Sequence, residues 1–190
     1  IEEGPYVRTE DFEGQVYPTM KLLFRDMGTS AAIGRSVIPI LQGCCVGGST
    51  TINSAICWRI PDDIYDTWAK EFGLKDAIPR REVENCFDVI EKELSIHPVN
   101  PDVLGRNNEL IARGASALGI TGRIIPRNEK GCRGSSRCLT GCPNGAKLST
   151  EKSYVPMAIE KGARLYTQCR AERILVKKGR ASSVLGVFKD

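Results

Sequence analysis

The most informative segment of this 190-residue chain is rich in glycine and reads Gly43-Cys44-Cys45-Val46-Gly47-Gly48-Ser49-Thr50-Thr51-Ile52-Asn53. Paired glycines let a backbone approach a flat or charged ligand, because no Cβ atom stands in the way. Backbone N–H groups and the hydroxyls of Ser49 and Thr50 offer donors to a phosphate or to ring oxygens, and Asn53 adds an amide. The alternative is an ordinary glycine-rich turn between strands.

Helices and strands are predicted on both sides of this segment. Residues 5–45 read as irregular, and Ile1 resembles the end of a strand. Apolar residues at helical spacing predict amphipathic helices in the middle of the chain. The predicted helices are Pro61 to about Phe72, about Pro79–Leu94, about Asn107–Leu118 and Val155–Lys161. The predicted strands are Arg164–Cys169, Arg173–Lys177 and Val184–Lys189, the last two joined by a loop over Gly179–Ser183.

Composition excludes some classes of protein. Hydrophobic residues make up 41% of the chain and charged residues 26%, which favours a packed core. The net charge is only +4, and basic and acidic residues are interspersed. We therefore expect no nucleic-acid partner. No apolar run approaches the ~20 residues of a membrane-spanning helix.

The eight cysteines are unevenly distributed. Five of them (Cys44, Cys45, Cys57, Cys86 and Cys169) are scattered, and we expect them to be small buried hydrophobic residues. Cys132, Cys138 and Cys142 form a Cys-x5-Cys-x3-Cys-Pro pattern in a loop of small residues, typical of an inorganic centre. Zinc would require a fourth ligand and closer cysteine pairs. The alternative is a set of reduced thiols, or one disulfide, that stiffens the loop.

The glycine-rich segment resembles the first signature of the glucose–methanol–choline (GMC) flavoprotein oxidoreductases. Residues 43–53 fit every position of that part of the signature. Trp58 and Pro61 supply the aromatic residue and the proline that follow, each one residue later than the pattern asks. The stretches Ile1–Gly4 and Thr167–Leu175 resemble two further parts of the family's FAD-binding domain.

The resemblance implies an FAD site and names its residues. Glu2 takes the position that holds the adenosine ribose hydroxyls, and the backbone of Ala171 takes the position that meets the adenine. The positions around the pyrophosphate and the isoalloxazine fall to Gly47, Gly48, Ser49, Asn53, Ser54 and Ile56. The family's dinucleotide fingerprint should lie some 30 residues before Glu2, and its catalytic histidine lies far to the C-terminal side. No catalytic residue is therefore expected here, and His97 matches no catalytic position.

The cysteine pattern resembles bacterial flavin-dependent glucose dehydrogenase catalytic subunits within the GMC family. That likeness implies that Cys132, Cys138 and Cys142 are ligands of a 3Fe–4S cluster. Electrons would then pass from the flavin to a cytochrome or a quinone. Lys147, Arg133 and Arg137 are candidates to offset thiolate charge, or else part of a solvated surface.

The resemblance predicts an α/β fold, namely part of an FAD-binding, Rossmann-like domain with a helical and loop insertion from the substrate-side domain. Residues 1–60 and 151–190 would belong to the FAD-binding domain, and residues 61–150 to the insertion. The implied activity is oxidation of an alcohol or sugar to a carbonyl compound by hydride transfer to the flavin. Because the chain starts at Ile1 and ends abruptly, we expect it to be an internal piece of a longer protein, inactive alone.

Two alternatives to this function stay open on the sequence. One is a non-redox binding module stabilised by a metal or a disulfide, with no flavin. The other is a lyase of the same family that keeps FAD without using it for redox chemistry. The sequence does not indicate the localisation of the protein.

Overall fold

The structure is a computed structural model that describes residues 1–189, and the chain divides into two compact units. The first unit consists of Ile1–Ser54 and the residues from Ser135 onward, and the second consists of Ala55–Gly134. Helices and strands are mixed, consistent with an α/β class. The strands of residues 1–189 pair antiparallel in two-stranded sheets, so the Rossmann-like sheet stays a prediction. The division into segments at residues 60 and 150 also stays a prediction.

The elements are numbered in chain order. The helices are α1 (Val16–Leu23), α2 (Ser49–Ile52), α3 (Asp62–Glu71), α4 (Leu74–Ala77), α5 (Arg80–Glu93), α6 (Gly105–Ala117) and α7 (Tyr154–Glu160). The strands are β1 (Ala31–Ile33), β2 (Val37–Pro39), β3 (Ile96–Pro98), β4 (Pro126–Asn128), β5 (Cys169–Lys177) and β6 (Arg180–Phe188). Among residues 1–189, no helix combines the length and the apolar character needed to cross a membrane.

The core of the first unit lies beneath the glycine-rich segment. Its buried cluster consists of Phe12, Leu23, Cys45 and Ile52, so two of its four members come from residues 43–53. The backbone of the segment is also held from both sides: the Cys44 N–H donates to the Leu23 carbonyl at 2.7 Å, and the Val46 N–H donates to the Pro5 carbonyl at 2.9 Å. The segment is therefore anchored in the core at Cys45 and at Ile52.

The prediction of an irregular segment over residues 5–45 is wrong in part. Helix α1 lies within it, with Pro18 in its first turn, where a missing N–H is tolerated. Strands β1 and β2 form a small hairpin in which Ala32 pairs with Ile38. Their side chains are exposed, so no alternation between a buried and an exposed face marks these strands in the sequence.

Two predictions about the C-terminal strands are wrong. Residues 164–168 are not strand, and β5 begins at Cys169. The predicted loop over Gly179–Ser183 is a tight turn instead, because Lys178 and Gly179 both adopt positive φ, at 50° and 75°, as a type I′ turn requires. Arg180 therefore already belongs to β6. The residues before Gly4 are outside any assigned strand, although the Cys169 N–H donates to the Glu2 carbonyl at 2.9 Å.

The second unit contains the three predicted amphipathic helices, and the existence of α3, α5 and α6 is confirmed. Tyr65 of α3 is buried and donates to the Ile78 carbonyl at 2.8 Å, while the Arg80 guanidinium lies over its ring. The expectation that Cys86 is buried is wrong, because its side chain is exposed on α5. Helical spacing identified the apolar face of α5, but no residue of that helix is buried.

Gly4 provides a test of how the glycine-rich segment is packed. A Cβ atom at Gly4 would overlap the backbone carbonyl of Cys44, which the core holds in place. We expect Gly4→Ala to lower the free energy of unfolding by about 3 kcal/mol, because backbone atoms cannot move aside as a flexible side chain can. Urea unfolding of the full-length protein measures this loss.

Gly34→Ala is the matched control, because a Cβ atom there would meet nothing within 4 Å and φ is not left-handed. Its free energy of unfolding should stay within about 0.5 kcal/mol of the wild-type value. Equal stability of the Gly4 and Gly34 variants would contradict the packing described here.

Candidate functional site

The glycine-rich segment forms a closed turn that leads into α2. The Gly48 N–H donates to the Cys45 carbonyl at 2.8 Å, and the Ser49 hydroxyl accepts from the Gly43 N–H at 3.0 Å. A Cβ atom at Gly43 would overlap the backbone of Gly48, so a side chain at position 43 would force this turn open. The closure places Gly47, Gly48 and Ser49 at the outer end of the turn.

Gly48 has the properties expected of a backbone site for a ligand. Its φ of 53° and ψ of −141° lie in a region that essentially only glycine adopts. A Cβ atom built there would meet nothing within 4 Å, so the space beside the backbone is open. Crowding by neighbouring atoms therefore does not explain the need for glycine at position 48. A flat or charged ligand can approach the chain at this point, and in this respect the residues fit the FAD implied by the sequence.

The opposite side of the turn is braced by residues 149–151. The Gly47 carbonyl accepts from the Thr50 hydroxyl at 2.6 Å and from the Thr150 hydroxyl at 3.0 Å. The Thr150 N–H in turn donates to the Thr50 hydroxyl at 2.9 Å. These hydroxyl groups fix the orientation of the peptide that joins Gly47 to Gly48.

A buried carboxylate completes the bracing. Glu151 is 5% exposed, and its two oxygens accept from the Thr51 hydroxyl at 3.1 Å and from the Ser149 hydroxyl at 2.7 Å. A Cβ atom at Gly47 would lie 2.7 Å from a Glu151 oxygen, so the glycine also makes room for this carboxylate. Buried charged groups are tolerated when they are hydrogen-bonded in this way.

A buried ammonium lies at the end of the segment. Lys147 is 3% exposed, and its Nζ donates to the carbonyls of Thr51 at 2.6 Å, Asn53 at 3.0 Å and Cys138 at 2.8 Å. The sequence suggested that this lysine offsets thiolate charge or is solvated. Its burial shows that the solvated alternative is wrong, and its described partners are backbone carbonyls. The suggestion that it offsets thiolate charge stays a prediction.

Glu2 and Ala171 lie at the other side of the first unit. The Glu2 carboxylate accepts from the Gly4 N–H at 2.7 Å, and the side chain is half-buried. Because Gly4 packs against Cys44, this carboxylate is connected to the start of the glycine-rich segment. Ala171 is in β5, opposite Gly186, two residues after the backbone bond between Glu2 and Cys169.

The remaining predicted cofactor residues fall at the boundary of the units. Asn53 is exposed and follows α2, and Ser54 is the last residue of the N-terminal segment of the first unit. Ile56 belongs to the second unit, where it forms an isolated bridge with Arg127. Their assignment to the cofactor stays a prediction.

The three clustered cysteines do not form a metal-holding group as arranged. Among residues 1–189, no three His, Cys, Asp or Glu side chains are placed to hold a metal ion. Cys132 belongs to the second unit, where its N–H donates to the Glu129 carboxylate at 2.7 Å, whereas Cys138 and Cys142 belong to the first. Because these cysteines are divided between the two units, the three-iron cluster stays a prediction, and we derive no electron path through one.

Sequence reasoning missed the bracing residues Ser149, Thr150 and Glu151. They follow Lys147 closely and precede α7, in a stretch that has neither apolar periodicity nor a ligand pattern. The one signal was a dense run of small hydroxyl residues around a glutamate, which is equally typical of a solvated loop. Only the tertiary structure shows that this run faces the glycine-rich turn.

Comparison with known proteins places these features in a family. The sequence profile of the GMC oxidoreductase family matches residues 20–189. An uncharacterized GMC-type oxidoreductase of Mycobacterium tuberculosis is 37% identical over 97% of this chain and 29% of its own length. Another, from Sinorhizobium fredii, is 33% identical over 100% of this chain and 37% of its own. A long-chain-alcohol oxidase of Arabidopsis thaliana is 26% identical over 96% of this chain and 24% of its own. No solved structure matches.

The glycine-rich turn is thus part of a flavin-binding domain. The chain belongs to the GMC oxidoreductase family, whose N-terminal domain binds FAD. The resemblance inferred from residues 43–53 is confirmed. The chain spans only 24 to 37% of the length of the relatives described above.

Cys45 links the turn to a measurable pH dependence. Its side chain is 1% exposed, and burial raises the pKa of the Cys45 thiol to about 11, from an ordinary value of 9.0. Between pH 9 and pH 11 the thiol keeps its proton in the folded chain and loses it in the unfolded chain. The free energy of unfolding therefore falls as the pH rises. The stabilisation is fully present below pH ~9, and we expect a loss of about 2 kcal/mol by pH ~11.

Urea unfolding between pH 8 and pH 11 tests this expectation by comparing wild type with Cys45→Ala. The alanine variant should be less stable at pH 8, because it leaves a cavity. Its stability should nevertheless fall less steeply with pH than that of the wild type. Parallel pH profiles for the two proteins would show that the Cys45 thiol is not protected by burial.

Proposed function

We propose that the full-length protein is an FAD-dependent oxidoreductase that oxidises the CH–OH group of a small-molecule alcohol to a carbonyl group. The observation that carries the proposal is the Gly47–Gly48 turn, which hydroxyl groups hydrogen-bond on one side and which is open on the other. When bound, FAD supplies the acceptor for the hydride removed from the alcohol carbon. The residues of this chain bind and orient the cofactor.

Each cofactor residue has a separate task in this proposal. Glu2 binds the adenosine ribose hydroxyls, and the Ala171 backbone contacts the adenine. Gly47, Gly48 and Ser49 border the pyrophosphate, where the bare backbone of Gly48 admits close approach. The exposed amide of Asn53, together with Ser54 and Ile56, lies toward the isoalloxazine.

The substrate class follows from family relatives rather than from the site. The Arabidopsis relative is named a long-chain-alcohol oxidase, which supports an alcohol as the electron donor here. A sugar is the second candidate, favoured by the cysteine pattern. The electron acceptor is molecular oxygen if the protein is an oxidase, and a cytochrome or a quinone if it is a dehydrogenase.

The function is tested by the flavin of the purified full-length protein. We expect a visible absorption spectrum of oxidised flavin that is bleached when alcohol is added without oxygen. A flavin spectrum that no alcohol or sugar bleaches would favour the lyase alternative. A protein that binds no flavin would contradict the proposal.

Substitutions at the turn should weaken flavin binding. Asn53→Ala removes an amide, and Gly48→Val places a branched side chain at a φ of 53°, in the space left for the cofactor. We expect FAD affinity to fall about tenfold for Asn53→Ala and further for Gly48→Val. Titration of the apoprotein with FAD measures both, and Gly34→Ala is the control. Unchanged affinity in both variants would remove this segment from the cofactor site.

The cysteine spacing makes a separate prediction. If Cys132, Cys138 and Cys142 hold a 3Fe–4S cluster, anaerobically purified protein contains iron and acid-labile sulfide, and Cys138→Ser removes both while FAD is retained. Cys86→Ala, on the exposed face of α5, should leave both contents unchanged. An iron-free wild-type protein that still passes electrons to its natural acceptor would reduce the pattern to a structural loop.

A further inference from the structure

The buried Lys147 ammonium joins two segments that are distant in the sequence. Two of its carbonyl partners, Thr51 and Asn53, lie at the end of the glycine-rich segment. The third, Cys138, begins the short 3-10 turn over residues 138–140. A lysine ammonium has three N–H donors and no acceptor, so this geometry provides one carbonyl for each donor.

The arrangement fixes the part of the segment where the backbone changes direction. Helix α2 ends at Ile52, and Asn53 is already extended, with φ −82° and ψ 172°. The last carbonyls of a helix have no partner within the helix, and a cation at that end is favourable. The ammonium accordingly binds one carbonyl within α2 and one just beyond it, which sets the direction in which Asn53 leaves the helix.

A buried lysine needs hydrogen-bond partners with good geometry. A role in packing alone is therefore a poor explanation for a lysine at this position. A buried ammonium is tolerated only with good hydrogen-bond geometry, and an apolar side chain of similar length would fill the same space without that demand. Such a replacement would, however, take a charged donor away from three buried or half-buried carbonyls. The specific property of Lys147 is thus its hold on the backbone on either side of Ile52.

We propose that Lys147 is a positioning residue for the flavin: through the Thr51 and Asn53 carbonyls it holds the Asn53 amide in the orientation that binds the cofactor. The inference rests on the proposed function, since it assigns Asn53 to the FAD site. Lys147 itself touches neither flavin nor substrate in this account. Its bond to the Cys138 carbonyl also makes the conformation of the cysteine turn part of the same support.

The test compares Lys147→Met with the wild-type full-length protein. The methionine keeps the length of the side chain and removes the donors. We expect the variant to bind FAD about tenfold more weakly and to change the visible circular dichroism of any flavin that remains bound. Lys147→Gln retains two N–H donors, so its FAD affinity should lie between those of the wild type and of Lys147→Met. Lys161→Met is the control, because Lys161 is exposed at the end of α7.

A double-mutant cycle separates positioning from general stability. If Lys147 acts through Asn53, then Lys147→Met should weaken FAD binding much less when Asn53→Ala is already present. If the methionine variant does not accumulate as folded protein, the same cycle with Lys147→Gln measures the coupling to Asn53.

Three outcomes would contradict the account at different levels. Folded Lys147 variants with wild-type FAD affinity and flavin dichroism would overturn this inference alone. The inference would also be overturned if the Lys147 and Asn53 substitutions reduced FAD affinity by independent factors that multiply. The lysine would then have a structural role only. A wild-type protein that binds no FAD would overturn the proposed function, and this inference with it.

Discussion

Buried and half-buried hydrogen bonds connect two segments that lie a hundred residues apart in sequence, as the bond from the Thr150 N–H to the Thr50 hydroxyl shows. Thr150 and Glu151 brace the turn at Gly47, and Lys147 holds the end of α2. Polar groups in a protein interior must be paired, so each partner constrains the other. The conformation of the glycine-rich segment is therefore a tertiary property. A turn rich in glycine would otherwise have many backbone conformations to lose on folding.

This constraint explains why one side of the turn is crowded and the other is open. The Gly47 carbonyl faces hydroxyl donors, whereas no atom outside Gly48 and its two chain neighbours lies within 4 Å of the Cβ position of Gly48. A hydrogen-bonded backbone beside an open space favours cofactor binding, because less of the site then has to be ordered when the ligand arrives. The same residues thus serve the core of the first unit and the proposed flavin site.

The sequence predicted the elements that have a local sequence signal. It gave a wrong prediction, or none, for features that depend on tertiary contacts. Residues 43–53 identified the family, and helical spacing identified α3, α5 and α6. Helix α1 was missed because Pro18 reads as a break, although its place in the first turn is compatible with a helix. The only sequence signal for the bracing role of Ser149, Thr150 and Glu151 is a run of small hydroxyl residues, which is equally typical of a solvated loop. A buried lysine is likewise indistinguishable in sequence from a solvated one, and Lys147 shows this directly.

The central claim is that the open face beside Gly48 receives FAD while the hydroxyl-braced face stays closed. A crystal structure of the full-length protein with FAD bound tests this most directly. We expect the pyrophosphate within about 4 Å of the Gly48 and Ser49 backbones, with the bond between Thr150 and the Gly47 carbonyl retained. An FAD molecule bound away from residues 47–53, or a turn that reorganises and breaks that bond, would contradict the account.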